Sequence, residues 1–257
     1  MCIFKFMMKK IANIPQIDDF ENYLFIGPHP DDIEVGAGAT VARLVAMGKK
    51  VSYVIATDGR YGSEDPEVDC EELVKLRQKE SLEAAKILGV EDVTFLPFHD
   101  GGLYDQAELT KALAIEIAKR KPDMVFCPDP LLHTECHADH LIVGRAASSA
   151  YIMSLNVPTM RDLGVNQVMV PKALAYYYTA RPNRYFALKG YQKKQFEALK
   201  AFKSQFTYTE DGKGSLNMLF IYLKIRALHF GIPRFKGKAD GFRVNSPLMI
   251  HCCAEKI

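Results

Sequence analysis

The sequence predicts an α/β protein, a Rossmann-like parallel sheet with helices on both faces, carrying a C-terminal helical extension. Three observations support this. Through the first 180 residues, short β-rich runs alternate with helical stretches. The β-rich runs are mostly apolar, as strands covered on both faces are. Each of the first four is followed by a polar cluster, and such sheets gather those clusters at one edge, beyond the carboxyl ends of their strands.

Tyr23–Ile26 is the first strand, followed by the polar Pro28–Glu34. Ala37–Met47 then carries Val41, Leu44 and Val45 at helical spacing and stops at Gly48, a helix terminator. Val51–Ile55 is the second strand and Thr57–Asp65 its loop. Asp69-Cys70-Glu71-Glu72 is a capping box, in which Asp69 accepts from the Glu72 amide and Glu72 reaches back. Its helix runs through Leu73, Leu76, Leu82, Ala85 and Leu88 to Gly89. Val93–Leu96 is the third strand, with His99–Gly102 after it, and Leu109–Lys119 the next helix. Met124–Cys127 is the fourth strand, Asp129–His140 its polar cluster, Leu141–Met153 a helix and Ala173–Tyr178 a fifth strand. Beyond residue 180 two helices are expected, Tyr191–Phe206 and Ser215–Phe230. The chain thus reads as one domain, with residues 1–180 as core and 181–257 as a helical extension shaping the pocket.

Of the 257 residues 48% are hydrophobic and 25% charged, which suits a large core without covalent staples. The net charge of +2 gives no case for nucleic acid or an anionic membrane as partner. The densest basic stretch, Lys193 to Lys203, carries Phe196, Leu199 and Phe202 at helical spacing and reads as the solvated face of an amphipathic helix. Met1–Lys10 has no uninterrupted apolar segment and no cleavage site, and no run approaches the ~18 apolar residues of a membrane span. The six cysteines, Cys2, Cys70, Cys127, Cys136, Cys252 and Cys253, form no C-x-x-C pair. They read as reduced thiols, so the expected compartment is the cytoplasm. A homo-oligomer is compatible with all of this.

Two clusters carry chemistry. Pro28-His29-Pro30-Asp31-Asp32-Ile33-Glu34 follows the first strand, and His133-Thr134-Glu135-Cys136-His137-Ala138-Asp139-His140 follows the fourth. Together they hold the imidazoles and carboxylates that bind zinc or a comparable divalent ion, and Fe2+ suits the same donors. His29, Asp32 and His140 would supply two His and one Asp, leaving a position open for water. Turn-rich loops collect Asp, Pro and His without any metal, but two such clusters at neighbouring strand ends favour the metal reading. Gly36 and Gly38 lack the third glycine of a dinucleotide fingerprint, since Val41 stands there; they read as small residues that let the helix press on the sheet. Glu34 reads as a first-turn carboxylate favoured by the helix dipole. Cys136 is a soft ligand or a small buried hydrophobe, and His133 a loop residue.

These motifs resemble the LmbE-like, or PIG-L, family of zinc-dependent N-acetylglucosaminyl deacetylases. The first family signature is matched by Pro28–Glu34 without a gap, and the second, His-x-Asp-His, by His137–His140 with Ala138 where many members have proline. The loop Thr57–Gly62, the helix pair Arg77 and Glu80, and Ser204-Gln205 add support. Ala239-Asp240-Gly241-Phe242 stands where members often have Ala-Glu-x-Phe, which leaves the role of Asp240 open. The resemblance implies that His29, Asp32 and His140 bind zinc and that Asp31 is the general base. It implies further that His137, protonated, stabilises the oxyanion or protonates the leaving amine, with Asp139 holding it. Arg60, Arg77 and Asp100 would hold sugar hydroxyls, Arg181 and Arg184 less directly, although each also suits a structural ion pair. The implied reaction removes the acetyl group from an N-acetylglucosamine-type small molecule. Rival readings are an amidase for a bulkier amide, an iron oxygenase with a two-His, one-carboxylate triad, and a non-catalytic metal-dependent sugar binder. Neither aglycone nor oligomeric state is legible.

Overall fold

A computed structural model describes residues 11–166 and 170–251; Met1–Lys10, Cys2, Cys252 and Cys253 lie outside it. Its strands are β1 (Asn22–Gly27), β2 (Lys50–Thr57), β3 (Asp92–Phe98), β4 (Met124–Pro128), β5 (Ala173–Tyr177), β6 (Arg184–Ala187) and β7 (Ala239–Asn245). They form one seven-stranded sheet in the order β3-β2-β1-β4-β5-β7-β6. The first five are mutually parallel, and β7 runs antiparallel to both β5 and β6.

Each central strand is apolar on both faces because helices cover both. Tyr23 and Phe25 of β1 point into one core with α1 (Asp32–Ala46), α2 (Cys70–Leu88), α6 (Gln192–Leu199) and α7 (Ser215–Gly231). Leu24 and Ile26 point into the other, with α3 (Gln106–Arg120), α4 (Ala138–Met153) and the short α5 (Val157–Asp162). Gly36 permits the close packing expected of it: a Cβ there would meet the Tyr177 ring of β5 at 2.6 Å. Gly38 faces Gln195 of α6 instead, so its closeness serves helix-on-helix contact.

The cap at Asp69 forms as read, accepting from the Glu71 and Glu72 amides at 2.9 and 3.2 Å. The reciprocal half of the box does not, because the Glu72 carboxylate turns to Lys75 at 2.7 Å. The tail departs further from expectation. It is not helical throughout: β6 and β7 extend the sheet, and the first tail helix ends at Leu199, short of Phe206. Lys193 and Lys194 are exposed, while Leu199 and Phe202 pack into the core, as the amphipathic reading requires. Among the described residues no helix is long and apolar enough to cross a membrane.

The chain builds β1, β2 and β3 outward in one direction and then places β4 on the other side of β1. At that reversal the loops after β1 and β4 lie side by side, the position where open α/β sheets bind ligands. Both chemical clusters sit there.

Candidate active site

Three side chains from the two loops converge. His29 turns Nδ1 to Asp32 Oδ2 at 3.1 Å, and His140 turns Nε2 to Asp32 Oδ1 at 3.3 Å. The ligand atoms of His29, Asp32 and His140 lie within 4.8 Å of one another. The outward nitrogen of each imidazole meets a carboxylate: His29 Nε2 lies 3.2 Å from Asp139 and His140 Nδ1 3.0 Å from Glu135. Such outer carboxylates fix the tautomer of metal-binding histidines and aim the remaining lone pair at the ion. Two imidazoles aimed at one buried carboxylate, each backed by another, fit a divalent cation. A second group, His29, His137 and Asp139, also converges. It fits less well, because Asp139 is fully buried and already accepts from Gly101 N at 2.8 Å, Gly102 N at 2.9 Å and His29. Gly101 and Gly102 have φ of +93° and +71°, and this left-handed pair turns both amides toward one carboxylate.

The electrostatics suit a divalent cation held by these residues. Burial would lower His29, but hydrogen bonds to Asp139 and then Asp32 raise it to about 10. Burial would raise Asp32, yet His140 and His29 hold its carboxylate well below the usual range. Asp139 falls to about 2, its burial outweighed by His29 and the Gly101 amide. Asp31 goes the other way, pushed up to about 7 by burial first and the Asp32 charge second, with Arg77 opposing.

Asp31 precedes α1 with φ of +126°, and its side chain makes no capping hydrogen bond. Asp31 therefore does not cap α1 through its side chain. A non-glycine residue there stores of order 1–3 kcal/mol of strain, which structures tend to retain at functional positions. Arg77 holds the carboxylate at 3.2 Å while donating to the carbonyls of Pro30 and Gly59 at 2.9 and 2.8 Å.

The candidate sugar-binding residues are committed to protein partners. Arg77 is buried in the brace just described. Arg60 pairs with Asp58 at 2.9 Å and Glu71 at 3.1 Å, and buried Asp100 accepts from the Tyr61 amide at 3.3 Å. Arg184 binds the carbonyls of Ile14 and Pro15 at the β6 edge, and Arg181 is exposed. The supporting motifs resolve into the same brace: Ser204 donates twice to Glu80, and Gln205 donates to the Gly62 carbonyl.

His137 is half exposed, its ring 4.8 Å from that of His29 and 5.0 Å from that of His140. Asp139 lies 3.7 Å from its Nδ1, farther than from His29, so Asp139 chiefly holds His29. Burial and then the neighbouring imidazoles lower the His137 pKa, contrary to the expected standing imidazolium. Glu34 is corrected as well. It is fully buried with both carboxylate oxygens unpartnered, and burial raises it well above its ordinary value, so it is not a solvated first-turn charge. Cys136 and His133 are exposed, and Cys136 belongs to neither metal-capable group. Sequence reasoning missed two residues. Glu135 stood inside the quoted cluster, five positions before His140. Tyr178, just past β5, donates to the Asp32 carbonyl at 3.1 Å and stacks on the His140 ring at 5.8 Å.

The model of the GlcNAc-PI de-N-acetylase (PIG-L) family matches residues 24–151, which span both clusters. A diacetylchitobiose deacetylase of Thermococcus kodakarensis is 33% identical over 242 residues, covering 92% of this chain and 87% of its own. The structure of N,N'-diacetylchitobiose deacetylase from Pyrococcus horikoshii superposes with a TM-score of 0.86 at 30% identity, covering 97% of this chain and 94% of that one. At 18% identity, GalB, the 4-carboxy-2-hydroxymuconate hydratase of Pseudomonas putida, shares the fold alone, with a TM-score of 0.71 and coverage of 88% and 97%.

Proposed function

Since this chain belongs to the PIG-L family, we propose that it is a metal-dependent N-deacetylase acting on an N-acetylglucosamine-type amino sugar, releasing acetate and a free amine. The observation that supports this best is Asp31, a strained carboxyl with a near-neutral pKa beside His29, Asp32 and His140. Zinc is the proposed ion, on a two-imidazole, one-carboxylate donor set, and when bound it supplies a Lewis acid for the acyl oxygen and acidifies a water.

The protein's own groups do the remainder. Asp31 takes the proton of the attacking water, and a pKa of about 7 suits a group that must accept and return a proton near neutrality. Arg77 keeps that carboxylate from turning away. His137, neutral and open to the pocket, donates an N–H to the developing oxyanion. Proton return to the departing nitrogen falls to Asp31, which carries the proton it took from the water. A sugar-binding protein would need neither group. The three free thiols among the described residues agree with a cytoplasmic setting.

The test is primary-amine release from a panel of N-acetylglucosamine derivatives by the zinc-loaded protein and by Asp31→Asn. We expect release that falls by roughly 10²–10⁴-fold in the variant. Release that is equal in both removes Asp31 as base, and none from any panel member with stoichiometric zinc shifts the reading to a bulkier amide.

A further inference from the structure

Helix α7 carries apolar residues on every side, yet it lies at the surface. Leu216, Phe220 and Leu223 fill the core beneath it. On its outward side stand Met218, Ile221, Tyr222, Ile225 and Leu228, and Ile232 continues the row into the turn that follows. Each of these six is between 38% and 61% exposed, and Phe235, three residues on, is wholly so. A helix that is apolar all round is ordinarily buried all round. Among the described residues, only the inward half of α7 is covered.

We infer that a second copy of this chain covers the outward half, the two α7 helices packing antiparallel across a twofold axis near Ile225. The inference stands apart from the deacetylase reading, since none of the six residues has a role in that chemistry.

Area, spacing and charge select that occupant. With Phe235, the row presents on the order of 700 Å² to solvent, within the about 600–1,000 Å² that each partner gives to a standard-size interface. That is more than the largest apolar patch of a typical monomer. Met218, Ile221, Ile225, Leu228 and Ile232 follow one another at alternating steps of three and four, the seam along which helices pair. The row is also the same in both directions about Ile225. Antiparallel pairing therefore sets Met218 against Ile232 and Tyr222 against Leu228 across the axis, so one patch serves both copies.

No charged side chain interrupts the seam. The two lysine and arginine residues of α7 turn away from it: Lys224 lies 5.6 Å over the Phe196 ring, and Arg226 donates to the carbonyls of Val35 and Gly36 at 3.0 and 3.2 Å. A helix lying on an anionic membrane keeps such cations along its polar face for the lipid headgroups. Here they are engaged within the chain, and two like seams meet without repulsion. Tyr222 and Ile225 also line a cavity of about 680 Å³ beside His140, so the neighbouring copy stands at the rim of that cavity.

The test is sedimentation velocity of the full chain at micromolar concentration, beside Ile225→Glu, which sets two carboxylates face to face on the axis. We expect the wild type at an even multiple of the chain mass, and the variant, folded by circular dichroism, at half that multiple or less. Ile225→Cys gives a second reading that does not depend on weakening the contact: under mild oxidation it should form a covalent dimer that the wild type does not. A wild-type monomer overturns the inference. So does an assembly that Ile225→Glu leaves whole and that Ile225→Cys fails to cross-link. A monomer that floats with phosphatidylglycerol vesicles, and ceases to do so as Ile225→Glu, also overturns it and assigns the row to a membrane surface.

Discussion

His29 can offer a metal either nitrogen, and Asp139 decides which: a proton held on Nε2 by that carboxylate leaves the Nδ1 lone pair facing Asp32. Glu135 does the same for His140 from a half-buried loop position, where its other oxygen accepts from the His137 amide. Glu135→Gln should therefore leave the fold intact and weaken zinc binding by about 10–100-fold in a chelator competition. Unchanged affinity would reduce Glu135 to a loop tether. His29 also couples metal to protons. In the metal-free protein it stays protonated up to about pH 10, so an incoming cation must expel that proton. Zinc affinity should rise by up to about tenfold per pH unit below that point, and calorimetry in buffers of different ionisation enthalpy should detect the proton released. The same raised pKa stabilises the metal-free fold fully below the unfolded-state value near 6.5. That stabilisation is lost as pH climbs through 10, so the metal-free Tm should fall across that window.

Helix α4 begins at Ala138 with His137 as its N-cap, and His137 has φ −71° and ψ 116°, extended backbone of the kind a following proline demands. Proline is favoured at the first helical position, whose amide has no intrahelical partner. Ala138→Pro should thus stabilise the protein by roughly 0.4–1 kcal/mol in denaturant unfolding, with no change in zinc affinity. A loss of stability would mean that the Ala138 amide or its contact with Gly102 matters more than chain entropy. Elements of this kind were legible: the five parallel strands have mostly apolar runs, and α2 carries its own cap. The first five residues of α1 and the strands of the tail were not. Asp32 to Gly36 carry two acids and a glycine, and β6 is four residues long. β7 reads Ala-Asp-Gly-Phe-Arg-Val-Asn, poor in β-formers, and is a strand because β5 and β6 present edges to it. The metal-capable trio was legible because its residues sit in two short motifs. The engagement of Arg60, Arg77 and Asp100 with protein partners was not legible, because only three-dimensional neighbours show whether a charged side chain is already engaged.

Across the whole molecule, the metal-capable group joins the loop after β1 to the start of α4, elements separated in the chain by more than 100 residues. A cation bound there stabilises the folded state against the unfolded one by mass action, about 2.7 kcal/mol at a concentration one hundred times its Kd. For a chain of this size that is on the order of 5–10 °C in Tm, to be read by calorimetry with and without chelator. No shift on loading would place the cation elsewhere. The strand order has a consequence for synthesis as well. β6 pairs only with β7 among the described residues, yet leaves the ribosome about 50 residues earlier, several seconds at ordinary translation rates. During that wait β5 shows an open edge and β6 has none to join. A growing chain thus owns its metal donors well before its sheet is closed, and a chaperone that shields the β5 edge would have its work between the emergence of Tyr177 and that of Asn245.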